Sequence, residues 1–155
     1  MPLGHQLSDF LNWVASDAKL WQNIISVPAK PAMKLSTRQE GSATILDLSG
    51  EITLLNSPEV RKAVLRLLRE QRVPHLIVNM LAVPYVDSSG VASLVEALKV
   101  ARDVNSRLAL FGLSKSARTV LELTHLLRVF EVHQTEEEAL HAPPPPVNGA
   151  AKSTG

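Results

Sequence analysis

Residues 85–90, Tyr85-Val86-Asp87-Ser88-Ser89-Gly90, mark the change from a buried strand to an amphipathic helix. The apolar run Leu76-Ile77-Val78 precedes them between Pro74 and Pro84, and its length is typical of a buried strand. The residues that follow repeat apolar side chains three and four positions apart, which is typical of one face of a helix. These apolar positions are Val91, Leu94, Val95, Leu98 and Ala101.

Asp87 is predicted to be the N-cap of this helix, because its carboxylate can accept hydrogen bonds from free N–H groups of the first turn. Ser88 and Ser89 then lie in that turn, at the positive end of the helix dipole, where a phosphate is stabilised. Gly90 follows, and a glycine lets another surface approach closely. Two interpretations stay open. The stretch is either a well-capped helix start with no further role, or a pair of hydroxyls presented to another protein, since one capping residue suffices.

Local patterns along the chain predict alternating strands and helices. Strands are expected near residues 34–39, 43–49, 75–80, 107–112 and 129–133, and helices near residues 57–71, 88–104, 114–127 and 135–141. The alternation is typical of an α/β fold with a partly parallel sheet. The link Glu40-Gly41-Ser42 is short enough to allow only an antiparallel hairpin between the first two strands. Ser57, followed by Pro58, and Ser114 are the predicted N-caps of the helices that begin there.

Four ordered segments of the chain resemble the STAS domains of bacterial anti-sigma factor antagonists. They are the motif Asp87-Ser88-Ser89-Gly90; Ser49-Gly50-Glu51-Ile52 with Ser57-Pro58-Glu59-Val60-Arg61; residues 107–112; and residues 120–126, 129–132 and 135–140. The resemblance covers about residues 33–140. It implies a mixed, mostly parallel sheet of four to five strands with its helices mainly on one face.

The same resemblance implies a modification site and partners. In the family the first hydroxyl residue of the motif is phosphorylated by an anti-sigma factor kinase, and here that residue is Ser88. Asp87, Ser89 and Gly90 are then expected on the switch and partner surface around it. The implied partners are an anti-sigma factor that is a serine kinase and a phosphatase that reverses the modification.

Three residues depart from the family pattern. Thr53 stands where an aspartate is often found two residues after the Gly-Glu pair, and Asn79 replaces a common aspartate at the end of the central strand. His125 stands where a glycine is usual. The first two departures remove negative charge, so they bear on recognition by a kinase rather than on the fold.

Composition excludes several classes of protein. The 155 residues suffice for one domain with tails, and a net charge of +1 with dispersed basic residues argues against a nucleic-acid partner. Because the chain has no cysteine, disulfides and thiolate metal sites are excluded, and its five histidines lack metal-ligand spacing. No cofactor is expected. The chain has neither a nucleophile elbow nor a phosphate-binding glycine loop, so it is predicted not to be an enzyme.

The start of the chain lacks the charged and apolar regions of a signal peptide, and no apolar run is long enough to span a bilayer. We therefore expect a cytoplasmic protein without membrane insertion. Four basic residues cluster on the first predicted helix of the domain, and they form either a solvated face or a partner contact. These residues are Arg61, Lys62, Arg66 and Arg69.

The two ends of the chain lie outside the resemblance. Residues 1–32 are predicted to form an amphipathic helix, over residues 7–26, and a linker, whereas 33–141 form the STAS domain and 142–155 a proline-rich disordered tail. The apolar stripe of the N-terminal helix is too large to leave in water. It is expected to cover the domain's own sheet or to pair with a second chain in a homodimer. The stripe consists of Phe10, Leu11, Val14, Trp21 and Ile25.

Two functions from different classes follow from these observations. In the first, the chain is an anti-sigma factor antagonist that sequesters an anti-sigma factor while Ser88 is unphosphorylated, which frees the sigma factor. In the second, it is a soluble accessory subunit of a membrane transporter of the lipid-type ABC class, where STAS-like domains need no phosphorylation. The additional N-terminal helix and the missing acidic residues slightly favour this second function, but the antagonist function is the main prediction and the transporter subunit is its alternative.

Overall fold

The computed structural model describes residues 33–145. Within them the chain forms five strands and four helices, which we number in chain order. They are β1 (Lys34–Glu40), β2 (Ala43–Ser49), α1 (Ser57–Leu65), β3 (His75–Ala82), α2 (Ser88–Asp103), β4 (Arg107–Phe111), α3 (Lys115–Leu123), β5 (Glu131–His133) and α4 (Glu136–His141). The N-terminal helix predicted over residues 7–26, and the tail beyond residue 145, lie outside the described residues.

The five strands form one sheet in the order β1-β2-β3-β4-β5. β1 and β2 pair in the antiparallel sense through the turn at Gly41, whose φ of 63° suits a residue without a Cβ. The other neighbouring pairs are parallel, with Ile77 of β3 opposite Ile45 on one side and Ala109 on the other. The predicted hairpin and the mixed, mostly parallel sheet are confirmed.

The two faces of the sheet carry different numbers of helices. On one face, buried residues such as Leu46 and Val78 pack in a single core with Val64 of α1, Leu94 of α2 and Leu121 of α3. The other face has a smaller buried cluster, in which Ala139 of α4 packs among five strand residues. Those five are Ala43, Ile45, Ile77, Ala109 and Phe111. The prediction of helices mainly on one face is therefore confirmed.

Helix α1 begins at residue 57 as predicted, but Ser57 is not its N-cap. The N-cap of α1 is Asn56. Ser57 is already the first residue of the helix, and its N–H donates to Thr53 O at 2.7 Å. Asn56 is fully buried, accepts a hydrogen bond from Thr53 N at 2.7 Å, and donates to the carbonyl of Glu51. The asparagine side chain thus fixes the loop before the helix, a task the sequence had not suggested. Residues 66–70 continue α1 as a π-helical turn.

Helix α3 ends earlier than the predicted residue 127. His125 has a φ of 60°, in the left-handed region, and the Leu126 N–H donates to Leu121 O at 2.8 Å. Together with the bond from His125 N to Glu122 O at 3.1 Å, this forms a Schellman motif, which usually contains glycine at the left-handed position. The predicted strand 129–133 is shortened to Glu131–His133, because the N–H groups of Val129 and Phe130 donate to Leu126 O in a turn.

The beginning of the predicted tail is held against the sheet. Arg107 Nη2 donates to Ala142 O at 2.9 Å and to Pro143 O at 3.1 Å, while the same guanidinium binds Glu131.

Among residues 33–145, every helix is too short or too polar to cross a bilayer.

Candidate functional site

The site lies where two loops meet at the carboxyl edge of the parallel strands. Residue Ile52, after β2, and Val86, after β3, form an isolated parallel bridge. The N–H of Ile52 donates to Tyr85 O at 2.9 Å, and the N–H of Asp87 donates to Ile52 O at 3.0 Å. The backbone bridge fixes the position of Asp87, and with it the start of α2.

Asp87 uses both carboxylate oxygens in hydrogen bonds. Its Oδ1 accepts from the N–H of Gly90 at 3.0 Å, so the predicted N-cap of α2 is confirmed. Its Oδ2 accepts from the N–H of Leu54 at 3.0 Å, in the loop between β2 and α1. One carboxylate therefore holds the start of α2 and the neighbouring loop together. We call these two bonds the Asp87 bridge.

The three motif residues after Asp87 differ in their exposure to solvent. The side chain of Ser88 is exposed, Ser89 is half-buried and Gly90 is buried. Within residues 33–145, the hydroxyl of Ser88 makes no hydrogen bond, and neither the Ser88 nor the Ser89 N–H has a backbone partner. These N–H groups lie at the positive end of the 16-residue helix α2, where an anion is stabilised.

Gly90 lies against its own chain. A Cβ at this position would be 2.6 Å from Val86 Cγ1 and 2.8 Å from Ile52 Cγ2, and 3.0 Å from the backbone oxygen of Ile52. The close approach that this glycine permits is thus made inside the domain, where it lets α2 pack on the Ile52–Val86 bridge. The exposed part of the motif is centred on Ser88.

An apolar surface surrounds Ser88. A groove of about 360 Å³ runs between the first turns of α2 and the last turns of α3, and Ser88 lies at its rim; we call it the Ser88 groove. Its other walls are Tyr85, Val86, Asp87, Val91, Ala92, Val120 and Thr124. Leu54 and Leu55, beside the Asp87 bridge, are 71% and 58% exposed, and Tyr85 is 42% exposed. This surface was not predicted from the sequence, although the adjacent Leu54 and Leu55 in a loop were a signal for it.

Two of the departures from the family pattern occupy different places. Thr53 belongs to the loop at the site, where its Oγ1 accepts a hydrogen bond from Leu55 N at 3.3 Å. Asn79 alternates with the core residues Val78 and Met80 and lies on the α4 face of the sheet, where its Nδ2 donates to Asp47 Oδ1 at 2.7 Å. Arg38 binds the same carboxylate of Asp47 and lowers its pKa. Of these two changes, the one at Thr53 lies at the site and the one at Asn79 does not.

Among the described residues, no group of three or more histidine, aspartate or glutamate side chains can hold a metal ion.

Replacing Gly90 with alanine should destabilise the domain. The new Cβ would overlap two β-branched side chains and a backbone oxygen, at a cost of about 1 to 3 kcal/mol that exceeds the gain in helix propensity of about 1 kcal/mol. Urea denaturation would measure the loss. Ser88→Ala, in the same helical turn but exposed, is the matched control and should change the free energy of unfolding by less than about 0.5 kcal/mol. Equal stability of both variants would contradict the packing described for Gly90.

Asp87→Ser should remove the hydrogen bond from Leu54 N and keep the one from Gly90 N. Serine is a good N-cap and can still accept from Gly90 N, but its shorter side chain has a single oxygen and cannot also bind Leu54 N. We expect the Leu54 amide to exchange with solvent about tenfold faster or more, while the Gly90 amide keeps its protection. Hydrogen exchange followed by NMR resolves both amides. In Asp87→Ala, the control, both should lose protection; unchanged Leu54 exchange in both variants would refute the bridge.

Comparisons with known proteins agree with this architecture. A family model for the STAS domain matches residues 34–139. An anti-sigma-B factor antagonist of Listeria monocytogenes is 33% identical over 91 residues, which are 59% of this chain and 79% of that relative. Two solved structures share the fold. An anti-sigma factor antagonist from Mycobacterium paratuberculosis aligns with a TM-score of 0.66 at 20% identity, over 72% of this chain and 93% of its own.

The second structure is SpoIIAA, a Bacillus cell fate determinant, in its phosphorylated form. It aligns with a TM-score of 0.55 at 24% identity, over 70% of this chain and 96% of its own. The family match spans β1 to α4 and includes the whole Asp87-Ser88-Ser89-Gly90 motif. The chain therefore belongs to the STAS domain family.

Proposed function

We propose that this protein is an anti-sigma factor antagonist, which binds an anti-sigma factor while Ser88 is unphosphorylated and releases it after phosphorylation. The observation that carries the proposal is an exposed serine hydroxyl, without a hydrogen bond inside the described domain, at the rim of an apolar groove and beside exposed leucines. The Listeria relative, which is named as an antagonist, supports the same function.

The apolar surface around Ser88 suits a protein partner. Contiguous apolar surface is rare on soluble domains unless another molecule covers it, and here Leu54, Leu55 and Tyr85 lie around one helix start. Leu123, the last residue of α3, is 75% exposed and directly precedes Thr124 of the Ser88 groove. A partner would bury these side chains and surround the neutral hydroxyl of Ser88.

Phosphorylation of Ser88 would act on binding rather than on folding. A phosphate adds a charge of about −1.5 to −2, and the helix dipole stabilises such an anion by roughly 0.3 to 1 kcal/mol in the free domain. The free N–H groups of the first turn can receive it without loss of an existing hydrogen bond. In the complex, the same dianion would be desolvated against a surface that matches a neutral hydroxyl. The domain keeps its fold and loses its partner.

Two other proteins act on Ser88 in opposite directions. The anti-sigma factor is a serine kinase that phosphorylates Ser88, and a phosphatase restores the hydroxyl; the chain itself acts as ligand and substrate and catalyses no reaction. Such partners work in the cytoplasm, which is where we place the chain. The antagonist relatives favour this function over that of a transporter subunit.

The first test concerns the modified residue. Incubation with the cognate anti-sigma factor kinase and ATP should phosphorylate Ser88 and leave Ser89 unmodified, because Ser88 is exposed whereas Ser89 is half-buried. Mass spectrometry of proteolytic peptides identifies the residue. Ser88→Ala should abolish the modification, and Ser89→Ala, the matched control, should preserve it. If a kinase shown to be active on another substrate phosphorylates only Ser89, the assignment of Ser88 is wrong.

The second test concerns the switch. Ser88→Asp places a permanent negative charge at the rim of the Ser88 groove and should weaken binding of the anti-sigma factor about tenfold or more, which is about 1.4 kcal/mol per tenfold change. Ser88→Ala removes the hydroxyl without adding charge and should bind within about threefold of the wild type. Isothermal titration calorimetry compares the three proteins. Equal affinities for the aspartate and alanine variants would reject a switch based on charge.

A further inference from the structure

A charged surface lies beside the site, along the exposed sides of α1 and α2. Five exposed cations belong to it, four on α1 and its π-helical turn and one on α2; we call them the basic ridge. They are Arg61, Lys62, Arg66, Arg69 and Lys99. From the sequence, the first four were either a solvated face or a partner contact. Because α1 packs on α2, Lys99 lies near the same carboxylate, Glu96, as Arg61 and Arg69.

Three cations of the basic ridge lie near a single carboxylate, that of Glu96. Arg61 crosses from α1 to α2 and donates from Nη2 to Glu96 Oε1 at 2.7 Å. The hydrogen bond from Arg61 is the main reason why the pKa of Glu96 is lowered, and the nearby charges of Arg69 and Lys99 lower it further. Arg61, Arg69 and Lys99 therefore lie around one carboxylate at the centre of the ridge.

Three cations of the ridge are not paired with a carboxylate of the described domain. Within residues 33–145, Lys62, Arg66 and Arg69 have no ion pair or side-chain hydrogen bond. Elsewhere in the described domain, Arg38 is bound by Asp47 and Glu136, and Arg107 is bound by Glu131. The ridge thus offers several guanidinium and ammonium groups to an external acidic surface.

The ridge is continuous with the surface around Ser88. Four residues of α2 follow one another at spacings of four, four and three, so they lie on one exposed side of the helix. They are Ser88, Ala92, Glu96 and Lys99. At a rise of about 1.5 Å per residue, Glu96 is about 12 Å along the helix axis from Ser88. A standard protein interface, with about 800 Å² on each partner, can contain both.

We propose that the basic ridge is the second half of the anti-sigma factor interface and takes an acidic surface of that partner. This inference rests on the proposed function and specifies the partner's chemistry. Glu59, Glu70, Glu96 and Asp103 lie among the cations, and the chain has a net charge of only +1, which favours an acidic protein over a nucleic-acid backbone. In such an arrangement the apolar Ser88 groove holds the complex together, while the ridge increases the rate of encounter and sets the orientation.

Charge reversal on the ridge tests the proposal. The probe is the anti-sigma factor of the same genome that binds the wild-type chain, and surface plasmon resonance at several salt concentrations gives its association and dissociation rates. The double variant Arg66→Glu with Arg69→Glu should lower the association rate about tenfold or more at low salt and reduce its dependence on salt. The double variant Lys34→Glu with Arg128→Glu is the matched control. It makes the same change in charge at exposed residues outside α1 and α2, and it should stay within about twofold of the wild type.

The results distinguish the inference from the function on which it rests. An association rate and salt dependence equal to those of the wild type would overturn the ridge as an interface, while binding by the wild type would still support the antagonist function. Equal losses in the ridge and control variants would also overturn it, because the effect would then come from net charge alone. No binding of any anti-sigma factor by the wild type would reject the proposed function itself. Reversal of an acidic partner residue that restores the rate of the ridge variant would support the ridge directly.

Discussion

The hydrogen bonds of one carboxylate, that of Asp87, hold the start of α2 and the loop after β2 together. Two segments 33 residues apart meet at this side chain, since its oxygens accept from Leu54 N and from Gly90 N. The Ile52–Val86 bridge places the carboxylate, and buried Gly90 lets α2 pack directly on that bridge. Because the backbone is held in this way, Leu54, Leu55 and Ser88 are presented together at one edge of the sheet.

This arrangement explains why a modification can change binding without changing the fold. The Asp87 carboxylate already satisfies the N–H of Gly90, and the bridge between the loops needs nothing from Ser88. A phosphate on Ser88 would find an exposed position with free N–H groups and a favourable helix dipole. The cost of the added charge would therefore arise only when a partner covers the site and removes water from it.

Local signals predicted much of the fold and part of the site. The buried strand around Ile77, the helix after Asp87, the cap at Ser114 and the turn at Gly41 each depend on neighbouring residues, and the structure has all of them. The rest depends on contacts between distant segments or on unusual residues at standard positions. Ser57 is as good a capping residue as Asn56, so only the buried contacts of Asn56 decide between them. Helix α3 ends early because His125 adopts a left-handed conformation, and the sequence signal for such an end is normally a glycine. The second bond of Asp87 joins residues that no local pattern connects.

The most direct test of antagonism is transcription reconstituted from purified RNA polymerase, the sigma factor and its anti-sigma factor. With the anti-sigma factor in slight excess over the sigma factor, transcription from a sigma-dependent promoter is repressed. Addition of the unphosphorylated chain should restore transcription at concentrations stoichiometric with the anti-sigma factor, and the chain phosphorylated on Ser88 should not. Restoration by both forms would contradict the switch, and restoration by neither would contradict the function as an antagonist.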